Sequence, residues 1–334
     1  MSVKIDEVKI IKLFGKKNFT WKLNDVNVLV GKNGKGKSIL LKIIHNTILN
    51  KEEKELGLCE SASIKLSNGI VISRRNDDKT TQMLGDLAKH LLKKISEGKG
   101  EFKKFVNENK GKSEHELSED LKDLLLKMNQ KSTITSSGYF IEMGSNETVK
   151  EKLNVSYIST INMNANSNNE VNKSSGEKTT ILAMETESEI TKLLIPVDGE
   201  KNKEEKDKDK QLLMSILNDL FKETGKKITI DTSFVVSDIN SDEKYEINYL
   251  SSGEKQLIYT LLRVANSERE NQIILMDEPE ISLHLSWQEK LLESIKKLRK
   301  DSQLIVVTHS PGIVMDGWMG SYTEIDNILV DGDR

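Results

Sequence analysis

The chain has 334 residues, enough for one large domain or two ordinary ones and for a substantial buried core. Charged residues make up 31% and nearly cancel to a net charge of -3, so no global basic excess points to nucleic acid. The single cysteine, Cys59, excludes an intrachain disulfide framework and a cysteine zinc site. No run approaches the roughly 18 apolar residues of a membrane span, and the N-terminal "MSVKIDEVKIIKLFGKK" has no signal-peptide core. These features predict a cytoplasmic protein with no membrane partner.

"VKIDEVKIIKLF" alternates apolar and polar residues and predicts an edge-type strand. Asp25 to Val30 is a β-branched run ending at Gly31, read as a buried strand, and "SILLKIIHNTIL" after it is a helix. "ASIKLSNGIVISRR" predicts a hairpin turning at Asn68-Gly69. Between Gln82 and Gln130 the pattern turns helical, with Leu84, Leu87, Leu91 and Ile95 on one face and Leu117, Leu121, Leu124 and Met128 on another. The heptads are too short for a long coiled coil. "YFIEM" and "VSYISTI" return to strand, and "TTILAMETESEITKLL" to helix. The charged run "DGEKNKEEKDKDK" is read as a solvated linker over 197–211, or a helix end, with partner binding as the alternative. "KKITID", "FVVSD" and "YEINYL" are strands. A helix from Glu254, the strand "IILMD", a helix from about Trp287 and the strand "QLIVVTH" close the pattern. This alternation argues for an α/β layer with a parallel sheet.

"GKNGKGKS", Gly31 to Ser38, matches the phosphate-loop pattern G-x-x-x-x-G-K-[ST] in full, between a buried strand and a helix. Gly31, Gly34 and Gly36 allow a tight turn, and Lys32, Asn33, Lys35 and Ile39 complete the loop around them. Its backbone N–H groups and the following helix N-terminus suit a phosphate. Lys37 then reaches the β and γ phosphates and the Ser38 hydroxyl a Mg²⁺ ion. No guanine-reading motif follows, which favours ATP. Phe14, Phe19 and Trp21 either stack on adenine or pack in the core.

"IILMDEPEISLH" places Asp277 and Glu278 at the end of an apolar strand. Asp277 can hold Mg²⁺ opposite Ser38, and Glu278 can act as general base or position the attacking water. His309 ends a further strand and is a candidate for contact with the γ phosphate. "SSGEK" occurs twice, at 174–178 and 251–255, and each copy reads locally as a capping box opening a helix.

Taken in order, the phosphate loop, "LSSGEKQ", "ILMDEPEISLH" and "VVTHS" resemble the heads of ABC-type ATPases. Among these they look most like the SMC-like repair ATPases and the OLD-family ATPases of anti-phage defence. The likeness covers about a third of the chain, at Gly31–Ile44 and Leu250–His309. It implies an ABC-ATPase-type P-loop head, α/β with a mixed central sheet and a helical insertion. It also assigns the second copy, Leu250, Ser251, Ser252, Gly253 and Glu254, as the signature loop, and leaves the first as a helix cap or a secondary contact near the nucleotide or partner. Two heads of this family dimerise head to tail, each ATP lying between one head's phosphate loop and the other's signature. Ser282-Leu283-His284 resembles the loop that crosses between the two sites.

The expected organisation is one composite domain: an N-terminal lobe over 1–80, the insertion over 81–135 and a C-terminal lobe over 136–334. The chain departs from transporter relatives at Ser252 and Glu254, and no Gln can be assigned to their metal-sensing loop. The stretch after His309 is too short for the nuclease domain of OLD-family proteins. The expected activity is ATP hydrolysis by a homodimer that regulates a separately encoded effector in anti-phage defence. The alternatives are a DNA-repair ATPase that binds nucleic acid, a transporter's nucleotide-binding subunit, or a clamp that binds ATP without turnover.

Overall fold

The computed structural model describes residues 2–49, 51, 53–75, 132–135, 138–143, 153–159, 170–172, 178–195 and 199–331. In chain order the elements are β1 (Ile5–Leu13), β2 (Lys17–Lys22), β3 (Val26–Val30), α1 (Lys37–Leu49), β4 (Ser61–Leu66) and β5 (Val71–Arg75). Then come β6 (Ser132–Thr135), β7 (Gly138–Met143), β8 (Asn154–Ser159), β9 (Glu170–Asn172), β10 (Lys178–Thr180), α2 (Ile181–Leu194) and α3 (Glu200–Phe221). The last are β11 (Lys226–Ile230), β12 (Phe234–Asp238), β13 (Lys244–Tyr245), α4 (Ser252–Ala265), β14 (Gln272–Asp277), α5 (Leu285–Leu298), β15 (Gln303–Thr308), β16 (Tyr322–Glu324) and β17 (Leu329–Asp331).

The chain divides into two compact units that interleave in sequence. The first comprises Met1–Lys4, Asn24–Leu41 and Lys152–Ile325; the second comprises Ile5–Leu23, Lys42–Glu151 and Asp326–Arg334. This differs from the contiguous lobes read from sequence. β17, near the C-terminus, pairs with β2 near the N-terminus, a long-range pairing that no local pattern reports.

The first unit is built on an all-parallel sheet ordered β16-β3-β15-β14-β8. Every residue of β3, β14 and β15 is buried. Continuous apolar runs of this kind suit strands covered on both faces. Helices α2 to α5 contribute Leu182, Leu213, Leu217, Phe221, Leu257, Leu261, Trp287 and Leu291 to the same core. Phe221 stacks on Trp287 at 5.6 Å, and the indole N–H of Trp287 donates to the Leu220 carbonyl at 3.0 Å.

The charged run at 197–211, expected as a linker or a helix end, is helical from Glu200 and forms the first half of α3. Asp209 is buried there and accepts from the Arg299 guanidinium at 3.0 and 3.2 Å and from Arg269 at 2.7 Å. A helix face carrying alternating charges toward solvent shows no apolar period, so the sequence hid it until Leu213. "YEINYL" is also shorter as a strand than expected. β13 holds two residues, and Ile247–Tyr249 forms a 3₁₀ turn leading into α4.

The second unit is an antiparallel sheet ordered β17-β2-β1-β4-β5-β7-β6. The described strands thus form four sheets: the parallel pairings all lie in the five-stranded sheet, and the seven-stranded sheet and the small sheets β9-β10 and β11-β12-β13 are antiparallel. β1, expected as an edge-type strand, is interior, flanked by β2 and β4; its alternation reports one buried face and says nothing of lateral neighbours. Asn68-Gly69 does turn the β4–β5 hairpin, with Gly69 at φ 86°. β6 falls inside the stretch assigned to the helical insertion 81–135; the rest of that insertion, and Ser174 to Glu177 of the first SSGEK copy, lie outside the described residues. Phe19 and Trp21 are buried edge to face at 6.2 Å in this unit, which supports their core reading, whereas Phe14 is exposed. Among the described residues no helix is long and apolar enough to cross a membrane.

Candidate functional site

Three parallel strands of the first unit end side by side, and the predicted site residues stand at or just past those ends. β3 leads into the glycine-rich loop, β14 ends at Asp277 and β15 ends one residue before His309. The register sets Thr308 beside Val30 and Val307 beside Asp277, so the three C-terminal ends lie level. Ligand sites in open parallel sheets form at such ends.

Loop residues Gly34 and Gly36 adopt φ 81° and 88°, conformations that side-chain-bearing residues rarely take. Gly31 is required by close approach, since a Cβ there would stand 2.3 Å from the Ile325 side chain. Lys37 opens α1 and is buried. Its Nζ donates to the carbonyl oxygens of Gly31 at 2.7 Å and Lys32 at 3.4 Å, and lies 3.4 Å from Glu278 Oε1. The Ser38 hydroxyl donates to Asp277 Oδ1 at 2.8 Å. Tyr157 on β8 donates its hydroxyl to the other oxygen, Oδ2, at 3.1 Å. Hydroxyl and carboxylate oxygens so placed form an all-oxygen donor set of the kind Mg²⁺ accepts.

Glu278 takes φ 49°, a left-handed conformation strained for a glutamate. Its backbone N–H still donates to Val307 at 2.9 Å, which ties the turn to β15. The carboxylate accepts from the His309 backbone N–H at 3.0 Å and makes a short contact with His309 Nδ1. Burial alone would raise its pKa, but the neighbouring Glu280 carboxyl and the hydrogen bonds from His309 outweigh burial and hold it below the usual carboxylate value. Glu280 lies two residues on and is buried. Thr308 Oγ1 donates to its Oε1, which stands 3.6 Å from His309 Nδ1. Burial first, then the neighbouring Glu278, push its carboxyl up to about 8 against the opposing Thr308 bond.

The second SSGEK copy opens α4 with a complete capping box. Ser251 Oγ accepts from the Glu254 N–H at 3.3 Å, and the Glu254 carboxylate accepts from the Ser251 N–H at 2.8 Å. Lys226 holds Glu254 at 2.6 Å, and burial is outweighed by that pairing, so the Glu254 carboxyl is held low. Leu250 is buried beside the turn. The helix start is joined to the chain beyond β14 in two places. A Cβ on Gly253 would meet the Ser282 carbonyl at 2.5 Å, and Gln256 donates to the Pro279 carbonyl at 3.3 Å. Ser282 is itself left-handed at φ 66°, and His284 caps α5 through Ser286. Within the chain the structure brings Lys37, Ser38, Asp277, Glu278 and His309 together, whereas Ser251 and Glu254 bond to each other and Glu254 to Lys226.

A family model described as "AAA domain, putative AbiEii toxin, Type IV TA system" matches residues 26–316. The chain belongs to this family. It is a P-loop protein of the AAA/ABC ATPase class, and its fold is that of an SMC-type head. The SMC head domain from Thermotoga maritima superposes with a TM-score of 0.50 at 14% identity, over 99% of this chain and 100% of that one. An SMC head bound to the C-winged helix domain of ScpA gives 0.50 at 13%, over 93% and 91%. Over 97 residues the chain is 33% identical to the Septu protein PtuA of Bacillus thuringiensis, which covers 25% of this chain and 24% of that protein. Over 63 residues it is 41% identical to an uncharacterized ABC transporter ATP-binding protein of Haemophilus influenzae, 19% of this chain and 23% of that one. The chain thus spans about a quarter of each curated relative.

Sequence reasoning missed Tyr157, Glu280 and Gln256. Tyr157 sits in β8, but its approach to Asp277 depends on the β8–β14 register. Glu280 carried a signal, a second acid two residues past Glu278 in the same turn.

Proposed function

We propose that this chain hydrolyses ATP with Mg²⁺ in a site completed by a second copy of itself, and that the cycle regulates a separately encoded effector in anti-phage defence. The observation that carries the reading is the convergence of Lys37, Ser38, Asp277, Glu278 and His309 at the level ends of three parallel strands. Bound Mg²⁺ would supply positive charge that offsets charge developing on the phosphates. Gly31 to Ile39 wrap the phosphates with backbone N–H groups, and Lys37 supplies a fixed buried cation. Ser38 and Asp277 would hold the metal, with Tyr157 fixing the carboxylate. Glu278 is ionised and positions the attacking water or takes its proton. His309 is half exposed while its Nδ1 meets Glu278, so its remaining edge is available to a γ phosphate.

Ser251, Ser252, Gly253 and Glu254 contact the nucleotide of the opposite protomer, a reading supported by the exposure of Ser251 on a helix N-terminus. The defence setting is supported by the motif resemblance and by the partial similarity to Septu protein PtuA.

The test is Glu278→Gln, which keeps shape and removes basicity. ATP binding should persist, turnover should fall by about 10²–10⁴-fold, and light scattering with ATP and Mg²⁺ should show a trapped dimer. Wild-type turnover in the variant would place the chemistry elsewhere. An ATP-loaded monomer would remove the composite site.

A further inference from the structure

The loops that follow β14 and β15 leave adjacent strand ends, and one side chain bridges them. Gln288 is the fourth residue of α5, and its backbone N–H donates to the His284 carbonyl at 3.0 Å. Its side-chain amide is used at both ends. Nε2 donates to the Leu283 carbonyl at 3.0 Å, and Oε1 accepts from the Ser310 hydroxyl at 2.9 Å. A backbone carbonyl can only accept, which fixes the amide's orientation. Glutamate in this place would lack the donor and lysine the acceptor. Leu283 belongs to the loop after β14, where the neighbouring Ser282 carbonyl also closes on Gly253 of α4. Ser310 directly follows His309. The Ser310 N–H donates to Thr308 Oγ1 at 2.8 Å, and the His309 N–H donates to Glu278 at 3.0 Å. The backbone at His309 is thus held by Glu278 and by the end of β15, and the residue beyond it by Gln288. The roles proposed for Lys37, Ser38, Asp277, Glu278 and His309 leave this bridge unused.

We infer that Gln288 is a positioning residue for ATP hydrolysis: carried on a helix, it holds the His309 loop at a set distance from the loop after β14 and so aims the imidazole at the γ phosphate. The inference rests on the proposed role of His309. Gln288 acts through Ser310 and needs no contact with the nucleotide. The His309 side chain is 48% exposed, so its direction depends on how its backbone is held.

Gln288→Leu removes both bonds at similar volume, and Ser310→Ala removes one from the other side. Each should lower kcat about tenfold, with ATP affinity and the urea unfolding midpoint close to wild type. Both variants cut the same bridge, so the double variant should also lose about tenfold, where independent sites would multiply to about a hundredfold. A side chain that only stabilised the fold would shift the midpoint and leave kcat of the folded protein unchanged. A second readout uses nucleotide-free protein with nitrogen-15-labelled histidine. The ring signals that His309→Gln removes should move in Gln288→Leu and in Ser310→Ala, whereas those of His45 on α1 should stay. Multiplying losses, wild-type kcat in either single variant, or unmoved His309 signals would each overturn the inference. If wild-type protein fails to hydrolyse ATP, the functional reading falls, and the histidine signals still decide whether Gln288 sets His309.

Discussion

Replacing Gly253 by alanine adds one methyl group where the signature-like turn meets the chain beyond β14. The added Cβ would stand 2.5 Å from the Ser282 carbonyl oxygen and 3.7 Å from the Trp287 ring. The first distance is closer than real Cβ atoms come, and the neighbour is backbone, so either α4 or the Ser282 turn must move. Overpacking of this kind costs about 1–3 kcal/mol. Alanine in a helix also gains up to about 1 kcal/mol over glycine, which leaves a net loss of about 0–2 kcal/mol. Gly312 is the internal control. A Cβ there meets the ends of two flexible side chains, Leu285 at 3.0 Å and Gln288 at 3.2 Å, so Gly312→Ala should cost less. Urea unfolding followed by tryptophan fluorescence reads both, because Trp287 lies against the mutated position. In Gly253→Ala, turnover should fall more than stability does, since the turn that shifts follows Glu278 and Pro279. A Gly253→Ala protein that is more stable than wild type, by the helix gain alone, would show that the close approach does not exist.

Lys37→Ala removes the buried cation of the loop and should weaken ATP binding about 10- to 100-fold or more, read by titration with a fluorescent ATP analogue. Tyr157→Phe removes the 3.1 Å bond to Asp277 and should raise the Mg²⁺ concentration for half-maximal turnover about two- to tenfold, with kcat at saturating metal near wild type. Ser251→Arg should abolish ATP-dependent dimerisation while the monomer binds ATP. Ser251→Ala, which loses only the cap, should cost about 1 kcal/mol of stability, so the pair separates interface from folding.

The parts of this molecule legible in sequence were those whose cause is local. β3, β14 and β15 are short apolar runs closed by turn residues, and the phosphate loop between β3 and α1 is a fixed spacing of glycines with Lys37 and Ser38. The capping box at Ser251 and Glu254 is likewise written in four residues. Other features depend on register or on distant partners. Tyr157 reaches Asp277 only because β8 and β14 run parallel with Ser159 level with Asp277. β1 is interior because β2 and β4 flank it. The polar half of α3 is held in place by Arg299, some ninety residues away, gripping Asp209. A charge run has no way to announce such a partner.

The carboxyl pair also predicts how stability depends on pH. Glu280 is pushed up to about 8 in the folded protein against an ordinary 4.5. Between those values the folded state holds a proton that the unfolded chain has released. Unfolding then releases protons, so folded stability falls as pH rises, by up to about 1.4 kcal/mol per pH unit. The stabilising contribution is complete below 4.5 and lost as pH rises through 8. Glu278, whose carboxyl is held low, has the opposite sign, with its contribution lost on acidification. Glutamine at 280 cannot ionise. The melting temperature of Glu280→Gln minus that of wild type should therefore climb steadily from about pH 5 to pH 8, while other carboxylates common to both proteins cancel in the difference. Lys37 and His309 face the pair, so the same series in a His309→Gln background tests whether the imidazole sets the slope. A difference that stays flat across the range, or that falls as pH rises, would mean that Glu280 is ionised in the folded protein and that the proton lies elsewhere in the cluster.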